Sequence, residues 1–388
     1  MRTARSDWRH RGVGHGVPLE ARFATAVAMA AIAALASPGP AEAFKTGDLL
    51  ALLSSGSGNR IVAVDPDTKA VSDFSPRAGS GTNLIEDGIH SPVGIASDPE
   101  GEVFVTFNEK LIEVDAATGV QHEVRGFNPQ ILGDFPLDLG TDPEGVAVSP
   151  VAPSGHDGRS IFVASDSAVY EVDRSFFFGT GASVFASYPG GFSYGNSLSA
   201  EDLGGGTVGV WTNNFTSVVT GEQGSLQSIY SEPTTSPQPE LSHALELGGV
   251  IYLTRIFGLF CSDNPSDNGL YALSYNTFIS AYLLTSFATG GDLSCPGVVT
   301  AVANPFTLYV GSNVSVLPAQ IIKVSGAQNP QTSILTTFDN SNIEGLAVYA
   351  PEPAVALGEG AALLALLGLS RVARRSPPSR LGSEDHAR

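Results

Sequence analysis

The chain has 388 residues, 42% of them hydrophobic, and 39 aspartates and glutamates against 20 lysines and arginines, for a formal net charge of −19. Residues 44–350 hold ten of the basic groups and 32 of the acidic ones. So acidic a surface repels nucleic-acid phosphates and anionic lipid headgroups, which excludes nucleic acid as a partner.

Five arginines fall within residues 1–22, and Phe23 to Ala36 (FATAVAMAAIAALA) then runs fourteen residues without a charge. Pro38, Gly39 and Pro40 follow, then Ala41-Glu42-Ala43. This is the charged region, apolar region and small-residue cleavage site of a secretory signal peptide. The apolar run is shorter than the roughly 20 residues that span a bilayer. Residues 1–43 are therefore expected to form a signal helix that is removed on export.

The middle of the chain reads as short strands. GIASDPEGEVFVTFNEKLIEVDAATGVQHEV, residues 94–124, splits at Asp98-Pro99-Glu100-Gly101, Asn108-Glu109 and Ala116-Ala117-Thr118-Gly119 into four strands. β-branched and aromatic residues sit inside them, and turn formers sit between them. Similar groups recur over 143–189, 196–232, 242–288 and 297–339, and no helical periodicity interrupts them. Four antiparallel strands per 40–50 residues predict the blades of an all-β β-propeller. The fourth unit is the least regular, with Gly204-Gly205-Gly206 interrupting its first strand.

The first unit, residues 44–76, holds three strands, LLALLSS, RIVAVD and AVSDFSP, and lacks one of the GIAS type. That strand recurs at the far end as IEGLAVYAP. A strand at 343–350 that completes the first blade would close the ring and remove an open sheet edge. The expected architecture is a six-bladed propeller over 44–350, with five or seven blades as the alternatives.

Cys261 and Cys295 are the two cysteines. In an oxidising compartment such a pair forms a disulfide, and no Cys or His cluster of zinc-site spacing surrounds them. Cys261 falls after the second strand of the fifth blade, and Cys295 in the link into the sixth. Up-and-down strands bring those two segments to one face.

SPVGIASDPEGEVFVTFNEKLIEVDAATG, residues 91–119, resembles an NHL-type repeat. Glu144-Gly145-Val146-Ala147 and Glu344-Gly345-Leu346-Ala347 resemble the corresponding steps of gluconolactonases and esterase-like phytases. The loops entering the first strands would place Val93, Glu144, Asn196, Ser242, Pro296 and Glu344 around the channel mouth. The resemblance implies that Glu144, Asn196 and Glu344 bind a divalent metal. Oxygen ligands suit Ca²⁺ or Mg²⁺. His90 and His243 lie beside this ring as candidate bases. No G-x-S-x-G, P-loop or H-E-x-x-H motif occurs.

The chain finishes with Ala350-Pro351-Glu352-Pro353, a mostly apolar run from Ala354 to Leu369, and Arg371, Arg374 and Arg375. This resembles a PEP-CTERM sorting signal, which implies a Gram-negative host and cleavage by an exosortase, a membrane-embedded protease. Two prolines keep the triplet extended. The apolar run, as a helix within 351–375, would anchor the chain transiently in the inner membrane, with the arginines on the cytoplasmic side. Residues 376–388 would form a disordered tail. The expectation is an exported cell-surface or extracellular-matrix protein with a propeller as its binding module. Extracellular polysaccharide or other surface proteins are the partners implied. The alternative is an exported metal-dependent hydrolase of the lactonase, esterase or phytase-like type.

Overall fold

The computed structural model divides the chain into two units, Met1–Ala43 and Phe44–Arg388. It describes residues 44–350 apart from 78, 129–132, 154–158, 166–167, 176–178, 188–196, 234–238, 258–260, 262–264 and 314–317. The signal helix at 1–43, Asn196, the Pro351-Glu352-Pro353 triplet, the apolar run and Arg371, Arg374 and Arg375 lie outside the described residues. Among the described residues no helix is long and apolar enough to cross a membrane.

Six four-stranded antiparallel units form the fold. In chain order they begin with β1 (Leu49–Ser55), β2 (Arg60–Val64) and β3 (Val71–Ser75), then β4 (Gly94–Ser97), β5 (Glu102–Phe107), β6 (Lys110–Asp115) and β7 (Gln121–Glu123). A hairpin of β8 (Arg125–Asn128) and β9 (Gly133–Pro136) precedes β10 (Val146–Val148), β11 (Ile161–Ala164), β12 (Ala168–Ser175) and β13 (Gly179–Ser187). The fourth unit is β14 (Leu198–Gly204), β15 (Thr207–Asn213), β16 (Ser217–Glu222) and β17 (Gly224–Ser231). The fifth is β18 (Pro239–Leu247), β19 (Val250–Phe257), β20 (Gly269–Asn276) and β21 (Ala281–Thr289). The sixth is β22 (Pro296–Val302), β23 (Thr307–Ser312), β24 (Ala319–Ser325) and β25 (Gln331–Phe338). The last strand, β26 (Ser341–Val348), returns to pair with β1 from Leu49↔Val348 to Ser55↔Ser341. Its neighbours in the ring of first strands are β22 and β4, so the six blades close on one another.

The apolar run of β1 shows why the blades stack. Leu50 and Leu52 pack with Ile95, Val103, Val105 and Ile112 of the second blade. Leu49, Ala51 and Leu53 pack with Val298, Tyr309 and Ile321 of the sixth. Successive side chains of a strand point to opposite faces, so a strand buried on both sides must be apolar at every position. Six such clusters fill the six interblade interfaces.

Two features refine the sequence expectation. Gly204–Gly206, a run that also reads as a hairpin, turn the chain between β14 and β15 instead of interrupting a strand, and all three have positive φ (93°, 65° and 80°) that suits glycine. The outer strands of the third and fourth blades also join, β13 to β17 in parallel at Ala186↔Gly224 and Ser187↔Ser225. That contact depends on blade geometry and leaves no mark in strand periodicity.

Candidate functional site

The first strands surround a narrow channel of about 240 Å³. Small and apolar residues dominate its wall, with Gly94, Gly145, Ala147, Leu346 and the His243 ring among them. The glycines follow from close approach. A Cβ on Gly145 would lie 2.6 Å from the Ser197 carbonyl carbon of the next blade, and one on Gly345 would lie 2.7 Å from Ile95 Cγ2. The Glu-Gly steps are thus places where adjacent blades meet around the axis.

Of the expected ring, Val93 lines this channel, as do Gly145, His243 and Gly345, the residues following Glu144, Ser242 and Glu344. Glu144 is tied into the wall through its backbone: its N–H donates to the Ala164 carbonyl at 2.8 Å, and its carbonyl accepts from Thr106 Oγ1. Glu344 accepts a hydrogen bond from Ser54 Oγ. Burial raises the Glu344 pKa above the ordinary glutamate value, and the Ser54 bond partly offsets this. His243 Nδ1 is buried without a hydrogen-bond partner among the described residues. Burial pushes the pKa of its imidazole down to about 3, so it is neutral at physiological pH. A neutral ring could accept or donate one hydrogen bond within the channel.

A wider cleft of about 780 Å³ opens where the first blade meets its neighbours. Hydroxyls and amides of Ser54, Ser55, Asn59, Asn340, Ser341 and Asn342 line it, with Glu86 and His90 at its side. Its walls are anchored. Glu86 accepts from the Asn59 and Gly88 N–H groups, and Asn59 Nδ2 donates to the Ile85 and His90 carbonyls at 2.7 and 3.1 Å. His90 Nδ1 lies 2.6 Å from Asp87 Oδ2. Hydrogen bonds from the His90 backbone and ring hold the Asp87 pKa down at about 2, so this carboxylate fixes the imidazole's orientation.

Two repeated devices that sequence reading missed shape the same face. Each second strand carries a buried hydroxyl in its second half or just past its end: Ser54, Thr106, Ser165, Thr212, Thr254 and Ser312. Thr254 Oγ1 reaches the Gly297 carbonyl of the next blade at 2.6 Å, and Thr212 Oγ1 reaches that of Ser197 at 2.6 Å. The next loop often carries an asparagine that grips the following blade. Asn213 donates to Leu241 at 2.9 Å, Asn268 to Ser294 at 2.6 Å and Asn313 to Ile343 at 2.9 Å. The signal available in sequence is Ser or Thr followed closely by Asn at the end of three cores, Thr106 with Asn108, Thr212 with Asn213 and Ser312 with Asn313.

Among the described residues, the acidic triad whose oxygens approach within 4.8 Å of one another is Asp98, Glu100 and Glu102. It lies at the hairpin between β4 and β5, at the end of the blade away from the Asn108-Glu109 loop. Arg174 supplies its counter-charge, contacting Glu102 and approaching Glu113 at 3.6 Å.

The disulfide joins Cys261 to Cys295 with their Cα atoms 5.3 Å apart. It links the loop after β19 to the segment entering β22, on the face where the first strands begin.

No family model and no curated protein sequence matches the chain. Solved structures do resemble it. TolB from Acinetobacter baumannii matches at 13% identity with a TM-score of 0.50, over 84% of this chain and 71% of that one. A 6-phosphogluconolactonase-like protein from Bacteroides fragilis matches at 12% identity and a TM-score of 0.45, over 80% of this chain and 99% of that one. Its counterpart from Bacteroides uniformis matches at 11% and 0.43, over 76% and 98%. At such identities the likeness to TolB establishes the β-propeller fold and leaves the activity to the site itself.

Proposed function

We propose that this chain is an exported cell-surface or extracellular-matrix protein whose propeller is a binding module for extracellular polysaccharide. The observation that carries the binding role is the 780 Å³ cleft. The amides of Asn340 and Asn342 and the hydroxyl of Ser341, with the Asp339 carboxylate beside them, can exchange hydrogen bonds with a polyhydroxylated chain. The loops bearing them are held by Glu86, Asn59 and Asn313, so little ordering entropy is lost on binding. Export and sorting rest on the N-terminal leader pattern and on the Pro351-Glu352-Pro353 ending. A disulfide between the two cysteines suits an oxidising compartment.

Affinity electrophoresis of the full chain tests the binding role. Gels cast with a neutral bacterial exopolysaccharide should retard it more than gels cast with an acidic one, because the protein is itself acidic. Replacing exposed Asn342 by Ala should reduce the retardation. Equal mobility in polysaccharide-containing and plain gels would remove this reading. For export, intact mass of surface-released protein should show loss of residues 1–43 and of the apolar run after Pro353. A species ending at Arg388 would remove the sorting step.

The second reading is a metal-dependent hydrolase of lactonase or phytase-like type, with Glu144, Asn196 and Glu344 as ligands. Its support is the half-buried Glu344 carboxylate beside the channel, whose oxygen donors suit Ca²⁺ or Mg²⁺. Ser54 already occupies Glu344 Oε1, which leaves one oxygen for an ion. A melting temperature unchanged between chelator and added calcium would dispose of this reading.

A further inference from the structure

The outer edges of the blades are treated unequally. β3 is five residues long and carries Asp73, within 3.8 Å of Arg60. β7 is three residues long. β13 and β17 cover each other. β25 is longer, but Lys69 Nζ caps its Ile334 carbonyl at 3.2 Å. Short edges, charges and capping lysines are the usual means of blocking an open sheet.

β21 has none of these protections. It is nine residues long, and among the described residues no backbone hydrogen bond reaches its outer edge. From Gly269 to Gly291 the sequence GLYALSYNTFISAYLLTSFATGG contains no charged residue and no proline, in a chain of net charge −19. Exposed apolar side chains gather on its hairpin: Phe278 is 97% exposed, Ile279 58%, Tyr275 51% and Leu283 40%.

We propose that the outer edge of β21 is a self-association surface on which a second copy of this chain pairs antiparallel, giving a twofold dimer. Charge selects the occupant. Two such acidic molecules repel over most of their surfaces and can approach closely only where neither carries charge. A strand edge is self-complementary under a twofold axis, because its N–H and C=O groups meet the same groups reversed. With the axis at Thr285, Leu283 of one copy faces Phe287 of the other. Joining outer edges is already used inside the molecule, where β13 meets β17.

Two experiments on the full chain test this. Sedimentation velocity over a wide concentration range should show a reversible dimer. Leu283→Lys sets lysines against the apolar seam and should weaken it by about tenfold or more, with the circular dichroism spectrum unchanged. A Thr285→Cys variant should form a covalent dimer on mild oxidation, while Ser333→Cys on β25 should not. A monomer at every concentration overturns the proposal, as does a dimer indifferent to Leu283→Lys or equal cross-linking of the two cysteine variants. Flotation of monomer with neutral phosphatidylcholine vesicles would assign the patch to lipid and overturn it too.

Discussion

Asn313 holds Ile343 by both ends of its amide: Oδ1 accepts the Ile343 N–H at 2.8 Å, and Nδ2 donates to the Ile343 carbonyl at 2.9 Å. Asn313 follows β23 in the sixth blade, and Ile343 belongs to β26, which completes the first. One side chain therefore latches the ring where its two ends meet. The two bonds also occupy the amide of Asn313-Val314-Ser315, a sequence that matches a glycosylation acceptor.

Asn313→Ala should destabilise the propeller by about 2–3 kcal/mol, because it strands two backbone groups beside a buried strand. The control is exposed Asn329→Ala, expected within about 0.5 kcal/mol of the parent. Urea melts of the full chain compare the two. Equal midpoints would show that the closure does not depend on this latch.

A second prediction concerns the fourth and fifth blades. Arg255 Nε and Nη2 donate to the two carboxylate oxygens of Glu232, each at 2.7 Å, and the Glu232 side chain has no exposed surface. The guanidinium also stacks over Phe257 and Tyr271, with its carbon 4.7 and 5.0 Å from the ring centroids. Removing either partner leaves a charge in a dry site. Glu232→Gln and Arg255→Met should each cost about 3–5 kcal/mol. The double variant should cost less than their sum, which a double-mutant cycle measures.

Asp98 gives a pH dependence. Burial, the largest influence, raises its pKa from 3.8 to about 7, and the charges of Glu102 and Glu100 push the same way. The Glu102 N–H bond opposes them, and Arg174 and Glu113 complete the charged surroundings. In this range the unfolded chain releases the proton first. The Asp98 contribution is thus whole below pH 4 and is lost as pH rises toward 7. Asp98→Asn retains the acceptor for Glu102. It should raise the melting temperature at pH 8 relative to the parent and leave pH 4 nearly unchanged. A parent-minus-variant difference flat across pH 4–8 would contradict the assignment.

Strand order and ring closure were legible in the sequence because both rest on local patterns. A blade needs period-two apolar residues, turn formers and one strand missing at the start and supplied at the end. The site was only partly legible. Gly145 and Gly345 signalled a special position, but their cause is a neighbouring blade within 3 Å of a Cβ, the Ser197 backbone at Gly145 and the Ile95 side chain at Gly345. Glu344 was placed by its motif, while its bond to Ser54, 290 residues away, depends on ring closure. The polar cleft escaped notice because its walls come from distant segments, Ser54–Asn59, Glu86–Ser91, Pro318 and Asp339–Asn342.

The last prediction separates two restraints on one loop. Cys261 is bonded to Cys295, and Asn268 Nδ2 independently donates to the carbonyls of Cys261 at 3.4 Å and Ser294 at 2.6 Å. The disulfide spans a sequence separation of 34, which in the chain-entropy model stabilises by about 3–4 kcal/mol through the unfolded state. The asparagine acts on the folded state alone. Replacing both cysteines by serine should therefore lower stability by about 3 kcal/mol while the loop stays in place. Hydrogen exchange should still protect the Phe257 amide, which bonds to Asn268 Oδ1 at 2.7 Å. Asn268→Ala in the serine background should abolish that protection and cost a further 1–3 kcal/mol or so. If the serine variant alone loses protection at Phe257, the covalent bond holds the loop and the asparagine merely follows it.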